Sequence, residues 1–315
     1  MMPDQTWSGW IDIAREYLVS KGAVVRASLV SVKGSAPREA GASMLITSDE
    51  IWQTIGGGSL EFEVMRRARE MLAEPGGSWP RQVIHAALGP DMGQCCGGQV
   101  KVLLERFGPD QDQTLAALAD CRAVMHPLDG DQTLSDAGDA SIGLARAGKA
   151  FVAPVAVPAR PVFLYGAGHV GRALAPHLVA LGLDLHWVDV TADRFPMVIP
   201  PGARRVVAAD PALIAAHAPA ESLHLVITHN HDLDEAICHR ILSDGEFARL
   251  GLIGSATKSA RFRSRLGKAG IDADALDRLV CPVGLSAITG KHPARVALSI
   301  AAGVAIWQQE LDEIG

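Results

Sequence analysis

The sequence contains no run of lysine or arginine, and no apolar stretch near the roughly 18 residues that a bilayer span needs. The first absence argues against nucleic acid or an anionic membrane as the main partner, because both call for a basic face. The formal net charge of −6 points the same way. The N-terminal stretch lacks the charged-then-apolar pattern of a secretory signal. Cysteine is scarce. The five residues, Cys95, Cys96, Cys121, Cys238 and Cys281, form an odd and scattered set that does not read as a disulfide framework, which predicts a reducing cytoplasm. No internal repeat is evident.

What remains is a globular composition, 48% hydrophobic and 20% charged, over 315 residues, enough for two domains with separate cores. The first half reads as mixed α/β. Apolar residues at Trp7, Trp10, Ile13, Ala14, Tyr17 and Leu18 follow the period of an amphipathic helix, and the valine-rich "AVVRASLVSV" reads as a strand. "ASMLIT" and "IWQTI" are short strands about a turn. "GGGSLEFEV" opens a helix with Ser59 as expected N-cap and Glu61 suiting the dipole, and "RQVIHAAL" and "QVKVLLERF" are further strands. Residues 126–159 turn to Asp, Gly, Ala and Pro, lose periodicity, and read as a linker able to hold a hairpin. The predicted domains are therefore 1–125 and 160–315.

In the second half, "PVFLY", "DLHWVDV", "RRVVAA", "SLHLVIT" and "ARLGLIG" alternate with helical segments. This predicts a doubly wound parallel sheet of Rossmann type. Its first strand runs into "GAGHVG", so Gly166, Gly168 and Gly171 match a phosphate-binding turn, with Asp189 ending the second strand where a carboxylate can hold a ribose hydroxyl. His169 brings a titratable ring to that turn, a solvated histidine being the plain alternative. The fourth strand ends in "THNHDLDE". His229 and His231 are two apart, on the rim where such sheets take ligands, and with Asp232 and Asp234 they read as a functional cluster. The plain alternative is that Asp232 or Asp234 caps the next helix and the histidines are surface residues. His-x-His with a nearby carboxylate also admits zinc, but no HExxH or other third ligand pattern accompanies it. Ser255 opens a further helix with Lys258 in its first turn, where a cation is favourable only beside an anion.

"GPDMGQCCGG", residues 89–98, sets two cysteines among four glycines. Cys121, Cys238 and Cys281 sit in apolar settings and read as small buried hydrophobes. Cys95 and Cys96 have no such cover. One thiol is thereby left accessible to ligate a soft metal, carry sulfur or form a strained vicinal disulfide.

The series "VSVKGSAPREAGASMLI", "TIGGGSLEFEV", "LGPDMGQCCGGQVKVLLE", "FLYGAGHVG", "THNHDLDE", "GLIGSATK" and "CPVGL…GKHPARVALSIAAGVA" resembles the XdhC/CoxI family of xanthine dehydrogenase accessory proteins. The resemblance spans both halves in order and is broken only over 126–160. It implies a cytoplasmic chaperone, itself no enzyme. Such a protein binds molybdenum cofactor (molybdopterin), protects it while a cysteine desulfurase supplies the terminal sulfido ligand, and delivers it to the molybdenum-binding subunit of xanthine dehydrogenase. A homodimer is compatible with it. Carried over, Cys95 or Cys96 lies by molybdenum or sulfur, Gly166, Gly168 and Gly171 form the phosphate loop, and His229, His231 and Asp232 form the pocket rim. The rival readings are an NAD(P)-dependent oxidoreductase using GAGHVG and Asp189, with His169 or His231 as acid, and a zinc hydrolase on the histidine rim.

Overall fold

The computed structural model describes residues 9–74, 80–88, 97–128, 133–155 and 159–314. The chain divides into two compact units, 1–157 and 158–315.

The first unit begins with helix α1 (Trp10–Lys21), closed by Gly22 in the left-handed conformation, followed by strands β1 (Val24–Lys33), β2 (Ser43–Ile46) and β3 (Ile51–Trp52). Helix α2 (Gly58–Ala73), strands β4 (Arg81–Ala87) and β5 (Gln99–Phe107) and helix α3 (Asp112–Leu118) come next. β1–β5 form an antiparallel sheet in the order β3-β2-β1-β5-β4. Alternation along the strands decides its two faces. Val25, Ala27, Leu29, Val100, Val102 and Leu104 pack under α2 with Leu60, Val64 and Ala68, while Val24 and Phe107 pack with Trp10, Ile13 and Tyr17 of α1.

Strands β6 (Ala123–Pro127), β7 (Ser135–Asp136), β8 (Gly143–Ala145) and β9 (Ala150–Pro154) form a second sheet, ordered β7-β6-β9-β8. This is the segment read as a linker from 126. Its Phe151 and Ala153 bury themselves against Val30 and Leu103, so its cohesion comes from a neighbouring sheet. The strands are too short to show a period of their own. The expected boundary at 125 moves to about 157.

On the same face a charged cluster is sealed in. Glu105 stands directly between Arg26 and Arg81 in register, and all three side chains are at most 2% exposed. Arg81 Nε donates to Glu105 Oε1 at 3.0 Å, and Arg26 lies over the Trp10 ring at 4.2 Å. His126, from β6, meets Glu105 Oε2 through Nδ1 at 2.6 Å and Arg26 Nη1 through Nε2 at 3.1 Å. A guanidinium can only donate, so Nε2 keeps its lone pair and the proton sits on Nδ1. The neutral ring is the form that fits.

In the second unit, strand β10 (Pro161–Tyr165) leads into helix α4 (His169–Ala180), then β11 (Asp184–Asp189), β12 (Ala203–Val207) and the short helix α5 (Pro211–Ala215). Strand β13 (Leu223–Val226), helix α6 (His231–Asp244), β14 (Arg249–Leu252), helices α7 (Ala256–Lys268) and α8 (Ala273–Asp277), β15 (Leu279–Val280) and helix α9 (Pro293–Ile314) complete it. All pairings are parallel, in the order β12-β11-β10-β13-β14-β15. This is the doubly wound arrangement expected, with its switch point between β10 and β13. The two-residue β15 and five-residue α5 and α8 are too short for periodicity and are legible only in the structure.

Candidate functional site

The three glycines of the β10–α4 turn have different reasons to be glycine. A Cβ on Gly166 (φ +119°) would lie 2.7 Å from the Ile227 carbonyl oxygen, and one on Gly171 would lie 2.1 Å from the Gly166 carbonyl oxygen. Both are demanded by packing of strand, loop and helix. Gly168 is different. Its φ is −75°, any residue could adopt it, and nothing lies within 4 Å of its Cβ position. It is the N-cap of α4, exposed, with no side-chain cap. Backbone that is bare here, with neither strain nor packing to require it, suits close approach by an anion at the positive end of the helix.

Asp189 departs from the expected role. Its Oδ2 accepts from the Ala167 N–H at 2.6 Å and its Oδ1 from the Val190 N–H at 2.7 Å, with the residue 7% exposed. The carboxylate therefore ties the loop to β11 and does not point outward for a ribose. Trp187 Nε1 adds a bond to the Gly166 carbonyl at 3.1 Å, and Arg172 Nε one to the Ala167 carbonyl at 3.0 Å. Asp189→Asn should lower the stability of this unit by ~2 kcal/mol, because an amide can accept from only one of the two N–H donors. Thermal unfolding checks this, and titration with NADH should stay flat in both proteins.

"THNHDLDE" is divided by the structure. His229 leaves the strand end and meets Arg194, whose Nη1 and Nη2 lie 3.3 and 3.2 Å from the ring nitrogens. Asn230, not Asp232 or Asp234, caps α6: its side chain accepts from the N–H groups of Asp232 and Leu233. Asp234 is fully buried. It accepts from Thr228 Oγ1 at 2.7 Å and from Lys258 Nζ at 2.7 Å, so the cation in the first turn of α7 is neutralised from within. Lys258 Nζ also donates to the Ile253 carbonyl. Ser255 is the N-cap of α7, accepting from the Lys258 N–H.

His231, Ser255 and Lys258 do come together. With Thr257, Arg261, Phe262 and Arg265 they line a pocket of about 280 Å³ at the α6 and α7 N-termini. No carboxylate lines it among the described residues. Arg265 is held by Glu235 at 3.0 Å, whereas Arg261 makes no ion pair among the described residues. His229, His169, Asp189 and Asp232 lie outside this lining. Arg172, Arg194, Arg261 and Arg265 were not foreseen. Only Arg172, directly after the glycine motif, had a positional signal.

In the first unit Ser59 is inside α2, and Gly57 occupies the cap position. Glu61 does the capping: its Oε2 accepts from the Ile55 and Gly57 N–H groups, at 3.0 and 3.1 Å, which closes that turn to an outside anion. Cys95 and Cys96 lie outside the described residues. Their neighbours do not: Gly97 has φ +66°, and a Cβ on Gly98 would lie 2.2 Å from the Ser35 carbonyl oxygen. Those two glycines thus serve the crossing with β1. Cys238 is buried as expected, but Cys121 and Cys281 are half-buried, and burial raises the pKa of each thiol. No group of three metal-ligating side chains occurs among the described residues, and no described helix is long and apolar enough to cross a membrane.

These features define a class: an antiparallel α/β unit joined in one chain to a Rossmann domain with an open phosphate-type turn. Comparison with known proteins sharpens it. Residues 162–304 match the XdhC Rossmann domain and residues 18–83 match the XdhC and CoxI family, and the chain belongs to that family. It is 27% identical over 289 residues to the uncharacterized protein YqeB of Escherichia coli K12, covering 88% of this chain and 42% of that one. The chain therefore spans about two fifths of that relative's length. A crystal structure described as a xanthine dehydrogenase from Bacillus halodurans has the same fold, with TM-score 0.76 and 21% identity over 95% of this chain and 96% of that one.

Proposed function

We propose that the protein is an accessory factor of xanthine dehydrogenase maturation: a cytoplasmic chaperone that holds molybdenum cofactor for sulfuration by a cysteine desulfurase and hands it to the enzyme's molybdenum-binding subunit. The observation that carries this reading is the bare, unstrained Gly168 at the uncapped α4 N-terminus, a cradle that a Cβ would narrow and that suits the phosphate of a pterin. The family match and the name borne by the Bacillus halodurans structure support the choice of client.

On this reading the α4 N–H groups bind and orient the phosphate, and Asp189 holds the turn ready by its two backbone contacts. Arg261 supplies further positive charge at the pocket beside α7, and His231 a ring that can hydrogen-bond. Cys95 or Cys96 contributes a soft sulfur donor. The bound group supplies the molybdenum chemistry; the chain's own residues only hold and shield it.

The test is retention. Cys95→Ala and Cys96→Ala proteins isolated from a cofactor-producing host should fold normally and carry far less molybdenum and pterin than the unaltered chain. A double variant that keeps the cofactor at unaltered affinity removes the thiols from the proposal. The NAD(P) oxidoreductase reading has the inward-turned Asp189 against it, and tight NADH binding with turnover would restore it.

A further inference from the structure

The first unit carries a cluster of basic side chains that the proposed function does not use. Strand register places Lys101 of β5 directly opposite Ser31 of β1 and His85 of β4, and Gln99 directly opposite Lys33 and Ala87. Residues directly opposite one another share a face, so Ser31, Lys101 and His85 form one row, with Lys33 on the diagonal from Lys101. These residues line a pocket of about 320 Å³, and no carboxylate lines it among the described residues. No described residue pairs with Lys33, Lys101 or His85, although the chain as a whole is acidic. Several other basic side chains of this unit do find acids: Lys21 with Asp49, Arg15 with Asp112, Arg81 with Glu105.

Lys33 is exposed and Lys101 half-buried, and neither meets an acid among the described residues. Two ammonium groups on a cross-strand diagonal repel, since long side chains reach that far, and no described acid offsets them. The backbone beneath is held in place. Gly97 pairs with Ser35, and Gly98 packs so closely on the Ser35 and Lys33 carbonyls that no side chain fits there. The pocket sits at the end of the sheet where β4 leads toward β5, and Cys96 is three residues before Gln99 in sequence.

We propose that Lys33, Lys101 and His85 form an oxyanion-binding subsite of the first unit, which takes a tetrahedral oxygen-rich anion, with Ser31 and Gln99 as hydrogen-bond partners. The anion is either the phosphate monoester of a small molecule or a free oxyanion such as molybdate, and both offer the same tetrahedral face of charged oxygens. The assignment goes beyond the cofactor reading and does not depend on Gly168 or on the thiols.

Pyridoxal phosphate, a phosphate monoester bearing an aldehyde, tests it on the full chain. A lysine amine condenses with the aldehyde to an imine and releases water, and borohydride then reduces the imine to a stable amine for peptide mapping. The chain has only seven lysines, so the map is simple. At sub-stoichiometric reagent the label should concentrate on Lys33 and Lys101, and pyridoxal without its phosphate should show no such preference. Lys101→Gln should cut labelling at Lys33 by roughly fivefold, the worth of one partly exposed charge contact. Separate competition with inorganic phosphate and with molybdate shows which anion the subsite takes, and protection by either supports it. Labelling spread evenly over the lysines, or unchanged by both anions, overturns the assignment. Cys95→Ala/Cys96→Ala protein should give the unaltered map, which separates failure here from failure of the chaperone reading.

Discussion

Gly171→Ala should destabilise the second unit by ~3 kcal/mol or more, a fall of ~10 °C in its unfolding temperature, because the new Cβ lands 2.1 Å from the Gly166 carbonyl oxygen. Backbone stands on both sides of that contact, so no rotamer change relieves it. Gly168→Ala, three residues earlier in the same motif, should cost less than ~1 kcal/mol, since φ is ordinary and the space is empty. Its loss should appear in ligand retention, which Gly171→Ala cannot report cleanly. Calorimetry on both variants, with molybdenum and pterin analysis of Gly168→Ala, separates packing from binding. Equal unfolding temperatures in the two variants would contradict the geometry.

Glu105→Ala should cost ~3–5 kcal/mol, because Arg26 and Arg81 stay buried and lose the carboxylate between them. The cluster also sets an acid limit. Burial, helped by Arg26 and Arg81, holds the His126 imidazole below its ordinary pKa, although Glu105 pulls the other way. Burial alone would raise the Glu105 carboxyl, but His126, Arg26 and Arg81 together bring it below the usual value. Burial pushes the Arg26 guanidinium down to about 10. On the acid side His126 and Glu105 act in the same sense: the unfolded chain takes up protons that the folded one refuses, so stability falls as pH falls. For His126 the loss begins near pH ~6.5, and for Glu105 it begins below ~4.4. His224 adds a parallel limb in the second unit, where burial drives its ring down to about 4 while Tyr165 hydrogen-bonds Nδ1 at 3.1 Å. Urea denaturation between pH 7 and 4 should show stability declining, with His126→Gln flattening the first unit's share. A flat profile in the unaltered protein would refute the neutral-histidine assignment.

The legible part of the candidate site was local. GAGHVG, THNHDLDE and GSATK are each contiguous, and each occupies the predicted strand end or helix start. Their pairwise roles were not legible. Asp189 satisfies the textual pattern of a ribose ligand, yet Ala167 and Val190 take both its oxygens, a matter of where one loop N–H points. Lys258 looked like an anion contact until Asp234, from another helix, was seen to neutralise it. The charged cluster of Arg26, Arg81, Glu105 and His126 left no trace, because its members come from four strands with no common spacing.

Hydrophobic period and glycine placement were enough, read from the chain alone, to determine its α/β class, its doubly wound second half and most of its longer elements. These follow from interactions within a few residues. Only the tertiary structure decided that β6 to β9 form a sheet, which glycines serve packing and which stands open, and which charges are spent internally. Those outcomes depend on contacts between segments far apart in sequence, where a single oxygen or Cβ position settles the role of a residue.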